Sequence, residues 1–212
     1  MVVYLLQKMS WIILTPLFKI FLRLKVSGQE NFNLIKQKQF IVIANHKGYL
    51  DPFLVSATVP FIKFLKMNFR YMTKPHWFKA YPIIKLLGAY KLERNQGSLE
   101  KTLASTEEFI RQGKHMLIFP EGTIPKQGEK SPTRQGIAYL AKKYNLPILP
   151  VALKGSNGIN GEKGIDIKKF FSRKCLVNIK VGRPFFYADV VNNNMDYHSS
   201  ARKIMELVRV ML

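Results

Sequence analysis

Acidic side chains are scarce in this chain: 13 Asp and Glu stand against 34 Lys and Arg, a formal charge of +21. A surface this basic repels copies of itself and attracts polyanions, so nucleic acid, an anionic membrane surface and an anionic substrate are the partners to weigh. Cysteine is nearly absent. Cys175 stands alone, which excludes a disulfide framework and fits a reducing, cytoplasmic compartment. Long apolar runs are missing as well, because the charge-free stretch 9–18 is well short of the about 20 residues that a bilayer-crossing helix needs. There is no internal repeat, no linker and no Cys/His ligand set, so neither a solenoid nor a structural metal site is expected.

What is present suits one core: 212 residues with 47% hydrophobic side chains can bury a single sizeable domain. Residues 1–25 read as a separate N-terminal segment. On a helix, Lys8, Thr15, Lys19 and Arg23 fall near one stripe and leave a broad apolar arc carrying Trp11, Ile13, Leu14, Leu17, Phe18 and Phe21. This pattern predicts an amphipathic helix, kinked at Pro16, lying in a membrane interface with its charged stripe to water. A helix packed on its own domain is the plainer alternative. The basic residues of 61–81 alternate with aromatics, which points to a second membrane-contacting surface.

From residue 26 to 212, strand-like runs at 40–44, 69–73, 89–92, 115–119, 148–153 and 175–181 alternate with helical patterns at 99–112, 134–144 and 195–212. The expected fold is therefore α/β, a mostly parallel mixed sheet flanked by helices. Ser98 and Gly113 read as the cap and stop of the clearest helix. The Gly- and Asn-rich stretch 155–164 reads as a surface loop.

Chemistry enters at NHKGYLDP, where the strand FIVIA gives way to a turn. His46 would project from a strand end, where open parallel sheets keep their sites, and the turn could fold Asp51 back onto it. A carboxylate on one imidazole nitrogen fixes the tautomer and leaves the other nitrogen free to deprotonate a hydroxyl. The spacing alone is a weak signal, since Asp51-Pro52 also has the form of an ordinary helix start. Later strand ends add to it. FPEGT brings Glu121, Gly122 and Thr123, with backbone amides, a hydroxyl and a carboxylate for a head group. LERN brings Arg94, whose fork suits a phosphate, and ILPVALKGS supplies a buried strand.

These four blocks, in this order over about residues 40–155, resemble those of the PlsC-like glycerolipid acyltransferase family, whose type member acylates 1-acyl-sn-glycerol 3-phosphate to phosphatidic acid. The resemblance implies that His46 is the general base and Asp51 its orienting carboxylate, with Arg94, Glu121, Gly122 and Thr123 binding the acceptor and Pro150 and Val151 lying near the acyl chain. It implies direct transfer from acyl-CoA or acyl carrier protein to a lysophospholipid, with no metal or redox cofactor. It also implies peripheral, monotopic association with the cytoplasmic face of the cell membrane. Three positions depart from the family pattern. Ile124 replaces an arginine after EGT, a charge that Arg134 is expected to restore; Gly48 replaces a serine; and Lys91 replaces an aromatic. The first puts another acceptor, such as a lyso-ornithine lipid or lyso-glycolipid, in contention. A nucleic-acid binder rests on charge alone, without a binding motif or stacking platform, so no nucleic-acid partner is expected. A non-catalytic membrane scaffold would have no use for an intact His46–Asp51 pair.

Overall fold

Short apolar runs without alternation belong in a sheet covered on both faces. The computed structural model describes residues 2–92, 97–125, 132–161, 164–192 and 194–212. The described residues form nine strands: β1 (Lys25–Ser27), β2 (Ile41–Ala44), β3 (Phe69–Thr73), β4 (Ala89–Lys91), β5 (His115–Ile118), β6 (Ile148–Lys154), β7 (Asn160–Gly161), β8 (Gly164–Ile165) and β9 (Asn178–Val181). Seven of them make one sheet in the order β1-β9-β6-β2-β5-β3-β4, while β7 and β8 pair as a hairpin. All ladders of the large sheet are parallel except β6 with β9, so the sheet is mixed and mostly parallel, as the sequence predicts.

Ten helices accompany the described strands: α1 (Val2–Phe21), α2 (Asp51–Ala57), α3 (Phe61–Phe64), α4 (Pro75–Ala80), α5 (Ile83–Leu86), α6 (Leu99–Arg111), α7 (Gly136–Tyr144), α8 (Ile167–Phe171), α9 (Tyr187–Val190) and α10 (Tyr197–Arg209). The period-2 geometry of β2 divides its side chains between two cores. Val42 and Ala44 join Phe18 of α1, Leu54 of α2 and Phe170 of α8; Ile41 and Ile43 join Leu103 of α6, Leu140 of α7 and Ile204 of α10. Helix α6 begins as the sequence predicts, with the Ser98 hydroxyl accepting from the Lys101 amide. Its buried Glu107 accepts from Tyr139, Lys143 and Tyr144 and so ties α6 to α7. The short helices α3, α4, α5, α8 and α9, the edge strand β1 and the β7–β8 hairpin were not anticipated, because none is long enough to carry a period.

The expected polarity of α1 holds at its C-terminal end, where Lys19 and, just beyond the helix, Arg23 are exposed, and fails before it. Lys8 and Thr15, read as part of a water-facing stripe, are 5% and 4% exposed, and Gln7 is 5% exposed. The outward face is apolar instead: Val2, Leu5, Met9, Ile12, Ile13 and Ile20 are each about half exposed or more. The reason lies in what α1 covers. The helix lies over the carbonyls of Phe64 at the end of α3, of Met67, of Leu87 after α5 and of Phe69 at the start of β3, and supplies donors to all four. Lys8 Nζ donates to Phe64 and Met67, and Gln7 Nε2 donates to Phe69 and Leu87 at 2.7 and 2.9 Å. Burial pushes the Lys8 ammonium down to about 8. Gly88, at φ +100°, completes the seat, because a Cβ there would lie 2.3 Å from the Gln7 amide. Of the expected arc, Trp11, Leu14, Leu17 and Phe21 pack half-buried against the core. The helix continues through Pro16.

Candidate active site

Between β2 and α2, side chains hold the chain at each residue from Asn45 to Tyr49. Asn45 extends the β2–β6 ladder past its last backbone pair, since its amide donates to the Leu153 carbonyl at 2.9 Å and accepts from the Leu153 amide at 2.7 Å. The His46 N–H donates to Glu121 Oε2 at 3.2 Å. The Lys47 and Gly48 amides both donate to Asp51 Oδ2, at 2.6 and 2.8 Å. Finally the Tyr49 N–H donates to Asn160 Oδ1 at 3.3 Å.

Within this turn His46 Nδ1 lies 2.9 Å from Asp51 Oδ2. Asp51 is fully buried, at 0% exposure, while the His46 side chain keeps 19%. The carboxylate is therefore withdrawn from solvent and presents one oxygen to three nitrogens, and the imidazole stands between it and open space. Asp51 does stand at a helix start, as the first residue of α2 with Leu50 as its cap, but its charge is spent on the turn behind it. The Phe119 ring stacks on the imidazole with centroids 4.3 Å apart, which restricts the ring to this orientation.

His46 opens on a cavity of about 1240 Å³. Near the dyad the wall is Tyr49, Phe119, Pro120, Gly122, Thr123 and Ile124. The lining also includes the apolar and aromatic Phe53, Tyr71, Trp77, Ile84 and Leu87, and the polar Ser98, Thr102, Arg134 and His198. Such a space, mostly apolar with a smaller set of polar groups, suits an amphipathic ligand.

The third block has a geometric reason for its residue types. The Gly122 amide donates to the Phe119 carbonyl at 2.9 Å, a tight turn with Pro120 and Glu121 at its centre and Gly122 beyond it at φ +68°. This places Gly122 and Thr123 on the cavity wall and turns Glu121 inward, 7% exposed, onto the His46 backbone. Burial pushes the Glu121 carboxyl up, and the His46 N–H opposes that shift. Arg134 is exposed and, like Ile124, lines the cavity; its backbone N–H donates to the Pro120 carbonyl at 2.7 Å. Arg94 lies outside the described residues. Pro150 and Val151 are buried in β6, in register with Ile43 and Ala44, and the cavity wall is built from other residues. Among the described residues no group of three or more His, Cys, Asp or Glu is placed to hold a metal ion.

Asn45, Phe119, Tyr49 and Asn160 were missed at the level of sequence. Asn45 adjoins the dyad and was open to notice; Asn160 follows it by more than a hundred residues, and no local pattern marks it.

A family model described as Acyltransferase matches residues 23–154. The 1-acyl-sn-glycerol-3-phosphate acyltransferase of Saccharomyces cerevisiae is 30% identical over 171 residues, 77% of this chain and 52% of that protein. A protein of the same description from Pseudomonas aeruginosa is 31% identical over 134 residues, 62% of this chain and 49% of that one. The chain thus spans about half the length of these curated relatives. The crystal structure of the 1-acyl-sn-glycerophosphate acyltransferase PlsC from Thermotoga maritima superimposes with a TM-score of 0.69 over 98% of this chain and 77% of that one, at 19% identity, which shows a shared fold.

Proposed function

This chain belongs to the acyltransferase family, and on that premise we propose that it transfers a fatty acyl group from acyl-CoA or acyl carrier protein to the free hydroxyl of 1-acyl-sn-glycerol 3-phosphate, giving phosphatidic acid. The observation that carries the reading is His46 Nδ1 at 2.9 Å from the buried Asp51 Oδ2, with the ring lining the cavity. Nδ1–H donates to the carboxylate, and the second ring nitrogen, Nε2, takes the acceptor's hydroxyl proton. The hydroxyl oxygen bonds to the thioester carbonyl carbon and the C–S bond then breaks. The leaving thiolate recovers the proton from His46, so the enzyme ends as it began.

The acceptor's phosphate meets Arg134 and Thr123, both of which line the cavity. Ile124 on the same wall favours a second reading, in which a lyso-ornithine lipid or lyso-glycolipid is the acceptor. The test is to incubate the purified chain in detergent with each thioester donor and, separately, lysophosphatidic acid, lyso-ornithine lipid and lysophosphatidylcholine. Phosphatidic acid as the main product is the expected result. Turnover of another acceptor alone would replace the substrate and keep the chemistry; silence on all of them with both donors would remove the reading.

The outward apolar face of α1 supports peripheral attachment to an anionic membrane surface. Ile62 of α3, Ile83 of α5 and Ile167 of α8 are also more than 60% exposed, and lysines beside them suit anionic head groups. Among the described residues no helix is long and apolar enough to cross a membrane. Replacing both Ile12 and Ile13 with Asp is expected to weaken sedimentation with phosphatidylcholine–phosphatidylglycerol vesicles at least about tenfold, since each isoleucine contributes roughly 1.5–3 kcal/mol when buried. Thermal stability should stay near wild type, because both positions are exposed. Undiminished vesicle binding would move the lipid contact elsewhere.

A further inference from the structure

The turn that carries the dyad is held from two sides. From within, Asp51 Oδ2 collects Nδ1 of His46 and the amides of Lys47 and Gly48. From without, Asn160 of β7 uses both ends of its side-chain amide: Nδ2 donates to the Lys47 carbonyl at 2.9 Å, and Oδ1 accepts from the Tyr49 N–H at 3.3 Å. The two bonds straddle Gly48. That glycine has no room for a side chain, because a Cβ would lie 2.6 Å from the Ser156 carbonyl oxygen and 3.1 Å from Asn160 Oδ1. The segment after β6 is thus pressed onto the turn.

The segment is itself anchored. Ser156 and Ile159 are fully buried, the Asp166 amide donates to the Ile159 carbonyl at 2.9 Å, and Lys169 Nζ reaches the Asn160 carbonyl at 3.2 Å. Asn160 also pairs with Ile165 in the β7–β8 hairpin, and Gly164 and Ile165 line the cavity. One short hairpin therefore both walls the cavity and grips the backbone between His46 and Asp51. It lies beyond residue 154, where the family match ends.

We infer that Asn160 is a positioning residue for the His46–Asp51 turn, fixing the backbone on either side of Gly48 and with it the place at which the imidazole meets the cavity. A neutral amide is required, since only a group with one donor and one acceptor satisfies a carbonyl and an N–H two residues apart. Aspartate in its place keeps the shape and the acceptor but sets an oxygen against the Lys47 carbonyl; alanine removes both bonds.

The activity arm of the test rests on the acyl-transfer reading; a second arm does not. Wild type, Asn160→Ala and Asn160→Asp are compared in kcat and in KM for donor and acceptor. Nitrogen-labelled histidine reports the His46 ring by NMR, with His46→Ala to identify its signals and Asp51→Asn as the reference for a weakened, uncharged pair. Both Asn160 variants are expected to lose about 10- to 50-fold in kcat, the scale of one or two hydrogen bonds. KM should stay within about twofold, and the His46 ring signals should shift toward those of Asp51→Asn. A rise in KM at constant kcat would make Asn160 a substrate contact and overturn the inference. So would unchanged His46 signals in both variants. If wild type transfers no acyl group, the acyl-transfer reading falls, and the ring signals alone decide whether Asn160 holds the turn.

Discussion

Replacing His46 with alanine is expected to lower kcat/KM for acyl transfer by about 100- to 10,000-fold, the range that a positioned general base contributes. Asp51→Asn should fall toward the lower end of that range. An asparagine can place its carbonyl oxygen where Oδ2 now accepts from the Lys47 and Gly48 amides, so the turn keeps its shape. What it cannot supply is negative charge beside the imidazolium that forms when the acceptor hydroxyl is deprotonated. The two variants therefore differ in kind: one lacks a base, the other has a base whose charged form is left uncompensated. Steady-state rates with lysophosphatidic acid and an acyl thioester measure both. A His46→Ala protein with more than about a tenth of wild-type kcat/KM would show that the dyad is not the base.

Gly48→Ser is expected to cost activity by about 100-fold, although it installs the residue that the family commonly carries. The loss follows from the space, since the new Cβ would sit 2.6 Å from the Ser156 carbonyl oxygen and 3.0 Å from its carbon. Both atoms are backbone and cannot rotate away. Either the turn lifts or the segment at 156 retreats, and a displacement near 1 Å at a catalytic group costs about that factor. Thermal stability should fall as well, by roughly 1–3 kcal/mol for overpacking. The measurement is kcat/KM alongside a thermal melt. Wild-type activity in Gly48→Ser would mean that the 156–160 segment yields freely and does not brace the turn.

Much of the sheet was legible because its physical cause is local. Apolar runs such as IVIA and the MLI of β5 cover both faces of a buried strand, and Ser98 with Gly113 brackets α6 as their residue types predict. The His46–Asp51 pair was legible because five residues and one turn join its members. Glu121 was legible as a site residue but not in its orientation: the turn Pro120-Glu121-Gly122 decides that, by sending the glycine to the wall and the carboxylate to the His46 amide. Asn160 was invisible because its partners lie 113 and 111 residues away. The failure at α1 has another cause. A helical pattern fixes which residues share a face, but not which solvent that face meets. Lys8 was assigned by the habit that polar means outward, while carbonyls at the ends of α3 and α5 draw it and its neighbour Gln7 in.

That inward-facing polar seam bears on solubility engineering. Cutting α1 away would not release a self-sufficient catalytic body. It would strip Lys8 and Gln7 from four carbonyls and leave Phe64, Phe69 and Trp11's neighbours uncovered, a recipe for aggregation rather than for a water-soluble enzyme. Recoding only Leu5, Met9, Ile12, Ile13 and Ile20 with polar residues, all of them exposed, changes the helix's outer coat and keeps every bond that holds it.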